Sequence, residues 1–167
     1  MALFDRFRKK EKVEENVEET VIGSPTEGTV VPMKEIPDPV FSQGVLGTCC
    51  GVVPDEGKVF APINGEIVQV SDTKHAVGIA GANGLELIIH VGIDTVDMEG
   101  DGFAVDVKKG DQVKKGDLIL RMNLDKIKAA GHPDIVILAV TNLGENKEVK
   151  LVANENVKSG ENIFQIA

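Results

Sequence analysis

The sequence has no tryptophan, no tyrosine and only six phenylalanines in 167 residues. A core in this chain is therefore aliphatic, closed by side-chain packing rather than by ring contacts. Its only cysteines, Cys49 and Cys50, are adjacent, whereas a disulfide framework or a zinc knuckle needs spaced cysteines that can converge. Both are expected to be reduced thiols in an intracellular, cytoplasmic protein. No run approaches the roughly 18 consecutive apolar residues of a membrane span, and the N-terminus lacks the apolar core of a signal peptide. Basic charge is also scarce: 18 Lys and Arg against 27 Asp and Glu give a formal net charge of −9. Proteins that grip phosphate backbones use clustered Lys and Arg, so nucleic acid is not an expected partner.

Two textures divide the chain. Residues 1–20 read as a flexible N-terminal tail. Its start, MALFDRFRKK, sets Leu3, Phe4 and Phe7 among Arg6, Arg8, Lys9 and Lys10, a pattern that can rest on an anionic membrane surface or simply stay solvated. Its second half, EKVEENVEET, is an acidic linker. Residues 21–167 carry short β-branched runs broken by glycine, proline and aspartate, which predicts an all-β fold, a compact antiparallel β-sandwich or barrel. The runs include 28–31, 58–61, 65–70, 76–80, 85–91, 117–122 and 134–140. One short helix is expected over 123–130, with Asn123 as N-cap, Gly131 past its end and Pro133 preventing continuation. His132 then reads as part of that helix end. Pro25-x-x-Gly28-x-Val30 recurs as Pro62-x-x-Gly65-x-Ile67, which we read as repeated turn chemistry rather than a duplicated unit. The glycines of VKKGDQVKKGDLIL (107–120) read as structural turns.

The stretch LELIIHV (85–91) ends a buried-looking strand with an ionisable side chain. Alternation places Leu85, Leu87, Ile89 and Val91 on the core face, with Glu86, Ile88 and His90 opposite. Gly81-Ala82-Asn83-Gly84 predicts a hairpin with 75–80. A four-residue loop pairs His75 with His90, and a two-residue loop makes them diagonal neighbours. Only a three-residue loop separates them, because a one-residue slip turns a strand over. Paired imidazoles on a rigid sheet have three readings: a nucleophile with a hydrogen-bonding helper, half a zinc site, or two ordinary half-buried histidines. Gly92 removes bulk beside His90, Asp94 can orient an imidazole or repel a phosphoryl group, and Thr73 can hydrogen-bond His75.

These residues resemble the glucose-family enzyme IIA proteins of the bacterial phosphoenolpyruvate:sugar phosphotransferase system. The likeness runs from about Val21 to the C-terminus. It rests on Ile36-Pro37-Asp38 with Val40-Phe41, Ala61-Pro62 with Gly65, Thr73-x-His75-Ala76, Glu86-Leu87 with His90-x-Gly92-Ile93-Asp94-Thr95-Val96, Gly102-Phe103, and Gly110 with Val113 and Gly116-Asp117. The resemblance implies that His90 takes phosphate on Nε2 from the histidine phosphocarrier protein HPr and passes it to the enzyme IIB component of a sugar permease, with no cofactor. His75 would steady the phosphoryl group and Thr73 would hold His75. Asp38 and Asp94 would flank the site, and Val40, Phe41, Leu46, Ile88 and Val96 would line an apolar docking rim. It also implies regulatory targets, a zinc shared by His75, His90 and a partner's carboxylate, and a membrane-touching tail. The chain departs from the pattern at Gly47-Thr48-Cys49, where the family commonly has Gly-Asp-Gly, and at Ser71 and Ile88, rim positions where some members carry phenylalanine. A biotinyl or lipoyl carrier shares some of these turns but needs a lysine between methionines, which is missing. A zinc peptidase lacks a third ligand.

Overall fold

The computed structural model describes residues 21–144 and 147–167, so the reading of residues 1–20 lies outside the described residues. The strands are β1 (Val21–Gly23), β2 (Gly28–Pro32), β3 (Thr48–Pro54), β4 (Lys58–Phe60), β5 (Gly65–Val70), β6 (Ala76–Ala80) and β7 (Glu86–Val91), followed by β8 (Phe103–Val105), β9 (Gln112–Val113), β10 (Leu118–Met122), β11 (Val136–Asn142), β12 (Val149–Leu151), β13 (Asn156–Val157) and β14 (Asn162–Ile166). Helix α1 is Pro39–Ser42 and helix α2 is Leu124–Ala129. As expected, Asn123 caps α2 by accepting from the Lys126 N–H, and Gly131 ends it at φ +81°. The His132 N–H donates to the Ile127 carbonyl beyond that end. Helix α1 was not anticipated, because four residues carry no helical periodicity; its only signal is the Asp38-Pro39 cap.

The eight-stranded sheet runs β13-β2-β3-β11-β7-β6-β5-β9, beside three-stranded sheets β1-β14-β12 and β4-β10-β8, and every pairing is antiparallel. The large sheet is a palindrome about the β11–β7 pair. Its register repeats as well: Gly28 opposite Val157 matches Gly65 opposite Val113, and Val52 opposite Val136 matches Ile79 opposite Leu87. Leu138 opposite Ile89 lies at the centre. The small sheets repeat in the same way, Ile22 with Phe164 matching Val59 with Leu120, each beside a bulge. The Pro-x-x-Gly echo is thus one edge of a twofold structural repeat, and our reading of it as turn chemistry alone is corrected. Short turns do recur, but the ladder behind them recurs too, and pairing partners far apart in sequence were invisible to a local pattern. A matching turn closes each half. Gly116 N–H donates to the Ala61 carbonyl while Ala61 N–H donates to Asp117, and Gly160 and Glu161 do the same with Ser24.

The aliphatic core lies between the large sheet and the two small ones, with Ile67, Ile79, Leu87, Ile89 and Leu138 packed against Ile22, Val59, Leu120 and Phe164. Burying each such side chain stabilises the fold by about 1.5–3 kcal/mol. The opposite face of the sheet is not simply solvated. Ile36, Phe41, Cys49, Ile93, Ile135, Ile137 and Ala139 form a second apolar cluster there. Cys50 joins the main core and Cys49 the second cluster, because neighbours in a strand point to opposite faces. Both are free thiols, and burial pushes the Cys49 thiol up to about 11, so neither is an activated nucleophile at neutral pH.

Candidate active site

His90 leaves β7 on the face away from the main core, as alternation requires, beside Ile137 of β11 and Ala76 of β6. That last pairing corrects the hairpin. Ala80 pairs with Glu86, and Gly81 N–H donates to the Leu85 carbonyl around a three-residue turn at Ala82–Gly84. This is the register that was expected to part the histidines. They nevertheless meet, ring centroids 4.8 Å apart and the planes nearly perpendicular at 84°. The reason is that β6 begins at Ala76, so His75 sits in the preceding turn, where strand alternation does not hold. Lys74 at φ +62° breaks the extended backbone there, and the Val91 N–H still donates to the His75 carbonyl.

The turn that presents His75 is closed from one side. Ser71 N–H donates to the Ala76 carbonyl, and Lys74 N–H donates to the Ser71 carbonyl. Thr73 Oγ1 lies 2.7 Å from His75 Nδ1, as the sequence suggested for this pair. Sequence reasoning assigned Ser71 to the rim and missed its structural use: its Oγ accepts from the His75 and Ala76 N–H groups and lies 3.5 Å from His75 Nδ1. The signal available was a serine preceding a turn, a common backbone-bonding position.

His75 is buried at 8% exposure and His90 partly so. Burial lowers the His75 pKa, opposed by a backbone hydrogen bond at Thr73. His90 is lowered to about 4, first by burial and then by the neighbouring His75, against the Gly92 backbone, Asp38 and Asp94, which favour the proton. Its Nδ1 is buried with no partner in full hydrogen-bonding geometry. Both rings are therefore neutral at cell pH, with lone pairs available for chemistry. Between about pH 4 and 6.5 the unfolded chain holds a proton on this residue that the folded chain does not, so stability is full above 6.5 and falls as pH drops toward 4. We expect wild type to lose on the order of 3 kcal/mol more than His90→Gln across that window. Parallel urea-unfolding profiles for the two proteins would contradict this.

Two carboxylates bias the site from its edges. Asp38 caps α1, its Oδ1 accepting from the Val40 N–H at 2.8 Å. Asp94 sits at φ +61° and opens the turn Thr95–Met98. Gly92 serves the backbone rather than making room for the ring: it lies at φ +76°, and a Cβ there would stand 2.3 Å from the Thr95 side chain. Thr95, fully buried, donates its hydroxyl to the Val91 carbonyl and fixes this corner.

The expected rim is only partly as drawn. Val40, Leu46 and Val96 are 44%, 42% and 51% exposed, and Val45, which the sequence did not single out, is exposed beside them. Ile88 is half-buried. Phe41 is not on the exposed rim: it is buried, its ring centroid 5.1 Å from that of His90 and its carbonyl accepting from Cys49 Sγ. A lone phenylalanine in a four-residue helix gives no clue to which side it faces. For metal, the histidines supply two ligands, and among the described residues no group of three or more His, Cys, Asp or Glu could hold an ion. A zinc here needs a ligand from a second molecule.

Comparisons with known proteins bear on the family and the fold. The sequence profile of the family described as phosphoenolpyruvate-dependent sugar phosphotransferase system, EIIA 1, matches residues 20–146. The glucose-specific EIIA component of Halalkalibacterium halodurans is 38% identical over 159 residues, covering 95% of this chain and 92% of that protein. The glucose permease IIA of Mycoplasma capricolum superposes with a TM-score of 0.79 at 30% identity, over 86% of this chain and 93% of that one. The histidine pair, its sheet and these likenesses converge: the chain belongs to the EIIA 1 family of the phosphoenolpyruvate-dependent sugar phosphotransferase system and is a phosphocarrier component of it.

Proposed function

We propose that His90 is the phosphoryl acceptor and that Nε2 is the attacking atom. The observation that carries this reading is the burial of His90 Nδ1 while the ring stands edge-on to His75. A neutral imidazole attacking through Nε2 keeps its proton on the buried Nδ1. The Nε2–P bond forms as the bond from phosphorus to the donor's imidazole nitrogen breaks, and the donor's ring departs with that electron pair. The donor is HPr and the recipient is enzyme IIB of a sugar permease, so the site of action is the cytoplasm, and among the described residues no helix is long and apolar enough to cross a membrane. The rigid sheet contributes by holding the acceptor in line, which lowers the entropic cost of transfer.

His75 offers Nε2 to the phosphoryl oxygens, while Thr73 fixes its ring. Asp38 and Asp94 repel the bound dianion and favour its departure. Val40, Leu46, Val96 and the half-buried Ile88 form the apolar rim that partners cover, with Phe41 supporting the ring from below. His75→Gln is expected to load phosphate from phospho-HPr and to pass it onward roughly 100-fold more slowly, measured by sugar phosphorylation with purified IIB. Onward transfer at the wild-type rate would remove His75 from the mechanism. The basic, apolar start of the chain is proposed to touch anionic membranes; equal liposome binding by the full chain and by one starting at Val21 would exclude that contact.

A further inference from the structure

Ser71 is unusual in its hydrogen-bond accounting. A serine hydroxyl has two acceptor lone pairs and one donor proton. Here both lone pairs are occupied, by the His75 N–H at 3.2 Å and the Ala76 N–H at 3.1 Å. Only the proton remains, and the acceptor the structure places against it is His75 Nδ1, 3.5 Å away. Two N–H groups pulling on the oxygen make that proton a better donor.

His75 Nδ1 therefore faces two hydroxyls, while a backbone hydrogen bond at Thr73 favours a proton on the ring. Thr73 Oγ1, at 2.7 Å, can donate to the nitrogen or accept from it. Ser71 can only donate. Were Nδ1 to carry the proton of the neutral ring, that N–H would donate to Thr73 and the Ser71 O–H would face a protonated nitrogen with no lone pair to accept it. With Nδ1 unprotonated, both hydroxyls donate toward its one lone pair, the shorter bond from Thr73 and the longer from Ser71.

We infer that Ser71 is a positioning residue for His75: it clamps the turn that carries the ring and biases the neutral imidazole to the tautomer with its proton on Nε2. That tautomer directs an N–H donor toward a phosphoryl group on the neighbouring histidine, as a helper must. The functional half of this inference rests on His90 carrying the phosphoryl group; the tautomer half does not.

The test uses the full chain with 15N-labelled histidine. Long-range 1H–15N spectra at pH 7.5 are expected to show His75 protonated on Nε2 in wild type and to show a several-fold larger Nδ1–H population in Ser71→Ala, with Ser71→Thr close to wild type. In phosphotransfer assays, Ser71→Ala is expected to slow onward transfer from the protein by about tenfold more than it slows loading, and Ser71→Thr to restore the ratio. A merely structural serine would weaken both steps alike and leave the tautomer unchanged. If Ser71→Ala does not fold, Ser71→Cys, similar in bulk but a weak donor, answers the same question. An unchanged His75 tautomer in the folded variant overturns the inference. A wild-type protein that takes no phosphoryl group refutes the function of the site while leaving the tautomer comparison to decide the role of Ser71.

Discussion

His90→Ala is expected to abolish phosphoryl acceptance from phospho-HPr, a loss on the order of 10⁴-fold or more, of the size seen when a covalent nucleophile is removed. Among the described residues, the nucleophilic side chains beside it are engaged otherwise. His75 is held at Nδ1 by Thr73, Cys49 is buried with a raised pKa, and the Thr95 hydroxyl is buried and donated to a carbonyl. The variant should also fold, since His90 lies outside the main core and its removal deletes a buried, unpartnered nitrogen. Intact-mass measurement after incubation with phosphoenolpyruvate, enzyme I and HPr checks the expectation. An acid-labile phosphoryl group on His90→Ala at wild-type level would place the nucleophile elsewhere.

The largest stability effect is expected at Gly28. An added methyl group there would lie 1.9 Å from the Val53 carbonyl oxygen, which belongs to the neighbouring strand and cannot rotate away. Gly28→Ala should cost about 3 kcal/mol or more by forcing β2 and β3 apart. Gly65 occupies the matching position of the repeat, 2.3 Å from the Ala80 carbonyl, and should behave in the same way. Gly116→Ala is the contrast: nothing lies within 4 Å of its added methyl, but its φ is +95°, so only about 1–2 kcal/mol of backbone strain is expected. Chemical denaturation of the three variants orders them. Equal losses at Gly28 and Gly116 would mean that conformation, not collision, sets the cost.

Much of this fold could be read locally. The strand 65–70 and the strand 76–80 fall where β-branched runs predicted them, because each is bounded by glycine, proline or a turn. The face of His90 was legible for the same reason, since alternation inside a strand is rigid. The register of its hairpin was not. Asn83 at φ +57° lets Ala82–Gly84 close a turn that the residue types alone allow in several lengths. The histidines met in spite of that error because His75 lies just outside its strand. The burial of Phe41 and Cys49 was hidden because the chain between β2 and β3 folds back over a face that the alternating pattern marks as outer. The twofold repeat was hidden for a related reason: strands 136–142 and 48–54 complete a unit whose counterpart is contiguous, and no local window spans them.

In the proposed relay, one nitrogen of one histidine carries the phosphoryl group. A 31P–15N correlation spectrum of the phosphorylated, 15N-histidine-labelled chain tests it directly. The expected result is a single phosphorus signal coupled to Nε2 of His90. Coupling to Nδ1, or to either nitrogen of His75, would contradict it.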